Sequence, residues 1–168
     1  CLTVTGNNNY CYDTFCKVNP PLREAEDVES LRQALADGTI DAIATDHAPH
    51  SPIEKDCEFA LASPGMIGLQ QCFGLLLDLV EQGHCSLSRL LDALSTAPAK
   101  IIGITPPSIT ENAIADLVLV DPNARYTSDS TPQYSKSRNT PFMNRELKGR
   151  ILTTIAQGRI VYQYGGEA

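Results

Sequence analysis

The sequence predicts an α/β fold, with a parallel sheet or barrel followed by a small β module. Short apolar runs alternate with amphipathic helical segments up to about residue 103, and this alternation is typical of strands joined by crossover helices. From about residue 104 the pattern changes to strand-like segments separated by Pro, Gly and Asn turns. We therefore divide the chain into an α/β part, residues 1–103, and a β module, residues 104–168.

The first predicted helix follows an extended segment, because the consecutive Pro20 and Pro21 are incompatible with helical backbone there. The helix is expected to begin near Glu24, to carry acidic residues in its first turn and to end at Gly38. Its apolar face is formed by Val28, Leu31 and Leu35. Residues 40–45, with the sequence IDAIAT, are short and apolar, which favours a buried strand.

Three more helices are expected before the β module. The second helix covers about residues 68–82, and the third covers about residues 88–94 with Ser88 as its N-cap. A short helix follows near Pro98, because proline is favoured in the first helical turn.

The β module contains three predicted strands. The first covers residues 115–120 and is expected to end at the turn residues 121–123. Residues 151–156 and 159–162 form two further strands around Gln157-Gly158, a two-residue hairpin signal.

Composition and charge exclude several classes of protein. Thirteen Lys and Arg against twenty Asp and Glu give a formal net charge of −7, and an acidic chain without a basic cluster is a poor binder of nucleic acids or anionic membranes. The richest apolar stretch, residues 73–80, is interrupted by Asp78 and is far shorter than the ~18 residues that a membrane span requires. We expect a folded cytoplasmic protein with no nucleic-acid or membrane partner.

The cysteines give no sign of a metal site or a disulfide framework. There are six, and none forms a C-x-x-C pair. A zinc site built on Cys11 and Cys16 would need two further ligands that no spacing supplies, so reduced thiols are expected. The chain begins with Cys1 rather than Met, within a segment that reads as a strand or loop, and we expect it to be a fragment.

The most informative motif directly follows the predicted strand at residues 40–45. It places Asp46, His47 and His50 within five residues at the carboxyl end of that strand, where α/β proteins gather their reactive groups. A carboxylate and two imidazoles suit metal binding or proton transfer. The alternative is an aspartate that caps the next turn beside two surface histidines.

The sequence around this motif resembles a known family. Residues 41–50, DAIATDHAPH, followed by Glu54-Lys55, resemble the last barrel strand of the class I dihydroorotases in the amidohydrolase superfamily. Further resemblance to the same family occurs in collinear order at residues 19–23, 63–69, 115–118 and 139–142. The resemblance implies the C-terminal part of a (β/α)8 metal-dependent hydrolase barrel, followed by a small β-sandwich-type module.

The resemblance also implies an activity and a set of site residues. The activity is the zinc-dependent, reversible hydrolysis of dihydroorotate to N-carbamoyl-L-aspartate in pyrimidine biosynthesis. Asp46 is implied to be both a zinc ligand and the catalytic general base. Asn19 and His50 are implied to bind the substrate through its carboxylate and ring polar groups, and the backbone at Pro64 and Gly65 to hydrogen-bond the ring.

Each of these residues also has a purely structural interpretation. Asn19 could cap a turn before the prolines, and Pro64 and Gly65 could simply shape a loop. His47 receives no role from the resemblance, and a structural hydrogen bond is the favoured interpretation for it. His84 is expected to be a surface residue.

The resemblance implies a binuclear zinc site, most of whose ligands lie outside this chain. Only His47, His50 and His84 are present, and the family's His-x-His pair and middle-strand ligands are missing. We therefore expect the chain to be inactive alone. A homo-oligomer is implied, and a partnership with aspartate carbamoyltransferase is left open. The alternatives are an allantoinase or dihydropyrimidinase, and a non-catalytic subunit that scaffolds aspartate carbamoyltransferase.

Overall fold

The computed structural model describes residues 12–128 and 133–166. Its helices and strands, numbered here in chain order, are α1 (Ala25–Asp37), α2 (Pro52–Lys55), α3 (Cys72–Glu81), α4 (Leu87–Leu91), α5 (Ala97–Ile101), β1 (Leu117–Thr127), β2 (Glu146–Ala156) and β3 (Arg159–Gln163). A short 3-10 helix covers Thr14–Cys16, and a π-helical turn, Asp92–Thr96, joins α4 to α5.

Helix α1 matches its prediction closely. It begins directly after Glu24 and ends at Gly38, whose φ of 87° places it in the left-handed region that favours glycine. Val28 and Leu35 are 2% and 1% exposed. The apolar spacing in the sequence therefore identified the face of α1 that is buried.

Helices α3 and α4 differ from their predictions at their first residues. Helix α3 begins at Cys72, because residues 69–71 form a turn rather than helix. Helix α4 begins at Leu87, and its N-cap is Ser86, whose hydroxyl accepts a hydrogen bond of 3.1 Å from the Arg89 N–H. The prediction of Ser88 as N-cap was wrong, since two serines at this spacing both precede the same apolar face.

Two apolar clusters hold the helices and the sheet together. In the first, α1, α3, α4 and the π-helical turn share a core formed by Leu35, Leu76, Leu79, Leu90 and Ala93. The second lies where α3 packs on β2, and its buried members are Leu75, Phe142 and Leu147. Helix α3 therefore has one side in each cluster and joins the helical part to the β module.

The predicted strand at residues 40–45 is not a regular strand in the described part of the chain. Residues 41–46 have no assigned secondary structure, and their side chains are half-buried or exposed. The pairing that does form is one residue further on, a single parallel bridge between His47 and Met66. A strand exists through hydrogen bonds to a neighbouring strand, and the described residues provide no such neighbour for 40–45.

The β module is an antiparallel sheet with strand order β1-β2-β3. Leu117 pairs with Ile155 and Thr154 pairs with Tyr162, which fixes the register of both strand pairs. The hairpin prediction is confirmed, because Gln157 and Gly158 both have positive φ, 50° and 76°, as a tight turn between right-twisted strands requires.

Strand β1 is longer than predicted. The turn residues after position 120 do not end it; instead the register shifts between Asp121 and Arg125, and pairing resumes as far as Thr127. The Asp121 carboxylate accepts hydrogen bonds from the N–H groups of Asn123 and Ala124, at 2.9 and 3.1 Å. The Asp-Pro-Asn signal therefore forms a bulge within the strand rather than its end.

Candidate active site

Three of the five predicted site residues line one cavity. Its volume is about 400 Å³, and its walls include Asn19, Asp46 and Gly65. Apolar side chains form much of the remaining wall, among them Leu22, Ile43, Leu75 and Phe142. A mostly apolar cavity with a few convergent polar groups is typical of a site for a small molecule.

Asp46 reaches this cavity through a turn in the backbone. Its φ of 47° is in the left-handed region, which aspartate tolerates better than most residues. The side chain is exposed, and no described residue donates a hydrogen bond or forms an ion pair with it. The carboxylate is therefore available to a metal ion, a proton or a substrate.

His47 lies on the opposite side of the same short segment. Its Nδ1 accepts hydrogen bonds from the backbone N–H groups of Gly68 and Leu69, both at 3.2 Å. Asp46 and Gly68 line the first cavity, whereas His47 and Leu69 line a second cavity. His47 thus has the structural hydrogen-bonding role that the sequence analysis favoured.

Asn19 is exposed at the rim of the first cavity, where the chain enters the Pro20-Pro21 segment. Its side chain has no hydrogen-bond partner among the described residues, so it caps no turn there. The Asn19 amide, which can donate and accept, therefore faces the cavity without an internal partner.

His50 lies behind the wall of the cavity rather than in its lining. Its Nε2 is 3.1 Å from the carbonyl oxygen of Pro64, and its Nδ1 is 3.3 Å from Glu54 Oε1. The His50 backbone N–H donates to Asn139 Oδ1 at 3.2 Å. The imidazole is thus fixed between helix α2 and the loop at residues 63–65.

The loop at residues 63–65 is held by hydrogen bonds within the chain. The Gly65 N–H donates to the Lys17 carbonyl at 2.8 Å, and the Pro64 carbonyl faces His50. A Cβ on Gly65 would lie 2.8 Å from His50 Nε2 and 2.8 Å from Ala48 Cβ. The loop is therefore too close to Ala48 and His50 for any residue other than glycine at position 65. A ring bound to this backbone would use the second lone pair of the Pro64 carbonyl, because the Gly65 carbonyl already accepts from Lys55 and Asn139.

Helix α2 carries a capping box that also orients His50. The Ser51 N–H and hydroxyl both donate to Glu54 Oε2 at 2.8 Å. These bonds from the Ser51 backbone and hydroxyl, followed by the contact with His50, lower the pKa of Glu54 to about 2. Glu54 is therefore a carboxylate across the physiological range and a fixed acceptor for the His50 ring.

Two residues of this region were not identified as site residues from the sequence. Asn139 is 2% exposed, and its Nδ2 donates to the carbonyls of Ala48 and Gly65 at 2.9 and 3.1 Å. Lys55 is 1% exposed, and its amine donates to the carbonyls of Ser63 and Gly65 at 2.8 and 3.0 Å. Both lie in segments quoted for the family resemblance, but a sequence pattern does not indicate which distant carbonyls they bind.

Asp46 is the one carboxylate among the described residues that line the first cavity. Cys72 also lines it, but burial raises the pKa of the Cys72 thiol and so disfavours the thiolate that a metal would bind. The described residues include no group of three or more His, Cys, Asp or Glu side chains that could hold a metal ion. Cys16, which was considered with Cys11 as a possible zinc site, is buried, and burial raises the pKa of its thiol to about 11. Cys11 lies outside the described residues. A zinc ion needs about four ligands, so Asp46 fits such a site as one member only.

Comparison with known proteins relates this geometry to a family. The family model described as "Amidohydrolase family" matches residues 13–161. A dihydroorotase of Geobacter sp. (strain M21) is 46% identical over 163 residues, which are 97% of this chain and 38% of that protein. A dihydroorotase of Anaeromyxobacter dehalogenans is 49% identical over 152 residues, 90% of this chain and 35% of that protein.

Solved structures show the same fold. An L-hydantoinase (dihydropyrimidinase) from Arthrobacter aurescens superposes with a TM-score of 0.86 at 27% identity, over 98% of this chain and 38% of that one. A D-hydantoinase (dihydropyrimidinase) from Thermus sp. gives 0.77 at 27% identity, over 92% and 35%. The chain thus spans little more than a third of these relatives. By its match over residues 13–161, the chain belongs to the amidohydrolase family.

Proposed function

We propose that this chain supplies the C-terminal part of a dihydroorotase, a cyclic amidohydrolase that interconverts dihydroorotate and N-carbamoyl-L-aspartate. The observation that carries the proposal is the position of Asp46, an unpartnered carboxylate in the same cavity as Asn19 and Gly65. Identity of 46–49% to dihydroorotases over at least 90% of the chain supports this substrate. The full-length enzyme is this chain together with the remaining two thirds of such a protein.

In this proposal residues 1–103 complete a (β/α)8 barrel, and residues 104–168 form part of a β-sandwich-type module. The segment at residues 40–45 would be the last barrel strand, and strands from the rest of the enzyme would supply the neighbours that it lacks here. The carboxyl ends of barrel strands are where such enzymes place their reactive groups, and Asp46 directly follows this segment.

Asp46 is proposed to hold zinc through one carboxylate oxygen and a proton through the other. The other ligands of the binuclear site would come from the rest of the enzyme. Zinc, when bound, lowers the pKa of a coordinated water towards neutrality and polarises a carbonyl. During ring opening Asp46 would accept a proton from the attacking water and deliver it to the departing ring nitrogen. During ring closure it would take the proton from that nitrogen and return it to the departing water.

The polar groups around the cavity would select the substrate. Asn19 would hydrogen-bond the substrate carboxylate or ring amide directly, since its side chain has no partner among the described residues. To bind the substrate, His50 Nε2 would either break its contact with the Pro64 carbonyl or share that hydrogen bond with the substrate. The Pro64 and Gly65 backbone would contact the ring.

The location and partners are part of the same proposal. None of the helices in the described part of the chain is long and apolar enough to span a membrane. We propose a cytoplasmic homo-oligomer acting on a small-molecule substrate in pyrimidine biosynthesis, with aspartate carbamoyltransferase as a candidate partner.

A second candidate function is a hydantoinase or dihydropyrimidinase. It is favoured by the fold, since the solved structures described above carry those names. Their identity to this chain is 27%, well below the 46% of the Geobacter dihydroorotase. The sequence comparison therefore favours dihydroorotate over hydantoin or dihydrouracil.

A substrate panel with the zinc-loaded full-length enzyme tests the proposal. Dihydrouracil is dihydroorotate without its carboxylate, and losing hydrogen bonds to a charged group costs about ten- to a hundredfold per bond. We expect kcat/KM for dihydroorotate to exceed that for dihydrouracil or hydantoin by at least ~100-fold. A preference for dihydrouracil or hydantoin would support the second function, and no turnover of any of these substrates would indicate a non-catalytic subunit.

A further inference from the structure

Lys55 is a buried cation with an unusual set of partners. It is 1% exposed, and among the described residues no carboxylate lies within ion-pairing distance of its amine. Burial, followed by the charge of Lys17, lowers the pKa of Lys55. A buried ammonium group is costly unless its protons are hydrogen-bonded, so its two carbonyl partners are the main compensation for burying it.

Those two partners flank Pro64. The amine donates to the Ser63 carbonyl at 2.8 Å and to the Gly65 carbonyl at 3.0 Å. One buried donor therefore holds the Ser63–Pro64 and Gly65–Met66 peptide groups, which precede and follow the Pro64–Gly65 peptide. The Pro64 carbonyl between them is left pointing at His50 Nε2, 3.1 Å away.

The loop at residues 63–65 forms part of the cavity wall. Gly65 lines the cavity, whereas Lys55 does not. A Cβ on Gly65 would approach His50 and Ala48 to 2.8 Å, so small movements of this loop would change both the cavity wall and the His50 contact.

Helix α2 connects these features in a single turn of chain. Glu54 faces His50 Nδ1 at 3.3 Å, and the next residue, Lys55, binds the loop that faces His50 Nε2. The helix thus holds the imidazole from one side and the loop from the other.

We propose that Lys55 is a positioning residue, which holds the loop at residues 63–65 where His50 and the cavity wall can bind the substrate. This role rests on the proposed dihydroorotase function. Because Lys55 acts on the binding loop and not on Asp46, its loss should raise KM and leave kcat nearly unchanged.

The test compares Lys55→Met with Lys17→Met in the zinc-loaded full-length enzyme. Lys17 is a matched control, because its amine also donates to two carbonyls, those of Phe59 and Ala60, at 2.8 and 3.0 Å. We expect Lys55→Met to raise the KM for dihydroorotate about tenfold or more with kcat within about threefold. Lys17→Met should leave KM within about twofold.

Amide hydrogen exchange provides a readout that does not depend on turnover. The N–H groups of Ser63 and Gly65 are hydrogen-bonded to Glu54 and Lys17 carbonyls at 3.0 and 2.8 Å. Their exchange should become at least ~10-fold faster in Lys55→Met and stay unchanged in Lys17→Met. Lys55→Arg, which keeps a cationic donor, should recover most of both effects, and Lys55→Gln should be intermediate.

The proposal is overturned if KM and the exchange of these amides stay at wild-type values in Lys55→Met or, should that variant not fold, in Lys55→Gln. It is also overturned if Lys17→Met has the same effects. An unmodified enzyme that does not turn over dihydroorotate would refute the proposed function instead, and the exchange experiment would still test the hold of Lys55 on the loop.

Discussion

Two predicted substrate contacts differ in how the fold presents them. The Asn19 side chain lies at the cavity without an internal partner, whereas the His50 ring is engaged by Glu54 and the Pro64 carbonyl. A residue without internal bonds can meet a ligand at no cost in lost contacts. His50 must exchange a bond that also holds the loop, so its contribution includes the position of the loop.

We predict that Asn19→Ala and His50→Ala each lower kcat/KM for dihydroorotate by about ten- to a hundredfold, the cost of a hydrogen bond to a charged group. Both variants should keep the zinc content of the full-length enzyme, because neither residue is proposed as a ligand. Steady-state kinetics and elemental analysis of the same preparations check this. Loss of zinc from His50→Ala would show that its role has been misassigned.

The sequence could reveal Asp46, His47 and His50 because chemically capable residues follow one another in a short motif. It could not reveal that Asn139, 89 residues after His50, donates and accepts bonds across the same site. Such a contact depends on the packing of the β module against the helical part. Local patterns carry no information on a pairing of that separation.

At the scale of elements, local signals identified where helices and turns lie better than where they end. The apolar spacing of α1 and the Gln157-Gly158 hairpin are decided by neighbours along the chain, and both agree with the structure. Whether residues 40–45 form a strand depends on pairing partners elsewhere in the protein. Whether β1 ends at residues 121–123, as predicted, depends on its pairing with β2. Both predictions differ from the structure because hydrogen bonds between segments far apart in the sequence determine where strands form and end.

Helix α2 should show the pH dependence of its capping box. The pKa of Glu54 falls from 4.5 to about 2, so its stabilising effect is complete above about pH 4.5 and is lost as the pH falls through about 2. We predict that the difference in unfolding midpoint between wild type and Glu54→Gln is constant down to about pH 5 and shrinks towards pH 2. Glu111→Gln, at an exposed position, is the control; a pH-independent difference for Glu54→Gln would contradict the assignment.

The contact of α3 with β2 depends on a glycine. A Cβ on Gly149 would lie 2.6 Å from Leu77 Cδ2 and 2.9 Å from Phe73 Cε1, and its φ is 85°. Gly158 has a similar φ of 76° but open space around it. The two glycines therefore separate the cost of backbone conformation from the cost of crowding.

We predict that Gly158→Ala costs about 1–2 kcal/mol, the penalty of left-handed backbone for an L-residue. Gly149→Ala should cost about 1–3 kcal/mol more, because overpacking is added. Urea unfolding of both variants in the full-length enzyme measures the difference. Equal effects would mean that α3 and β2 do not pack as closely as described.

At the scale of the whole molecule, the described residues hold a cavity and a carboxylate but no set of metal ligands. They also leave large apolar side chains exposed, among them Ile102, Ile109 and Val161, at 70%, 90% and 62%. We expect the remaining two thirds of the full-length enzyme to cover part of this apolar surface.

We predict that the 168-residue chain, produced alone, binds no zinc tightly and does not turn over dihydroorotate. One carboxylate cannot satisfy an ion that needs about four ligands, and the exposed apolar surface should make the chain self-associate. Elemental analysis and size-exclusion chromatography check both statements. Two tightly held zinc ions per chain, or measurable turnover, would refute the prediction.

The central claim is that Asp46 is both metal ligand and general base, and Asp46→Asn in the full-length enzyme tests it most directly. Asparagine keeps the size and one coordinating oxygen but cannot accept the proton, and a general base is worth about 10²–10⁴ in rate. With zinc content measured in the same sample, we predict at least a hundredfold fall in turnover in both directions, with dihydroorotate affinity changed far less. A variant that keeps more than about half of wild-type turnover at full zinc occupancy would show that Asp46 is not the base.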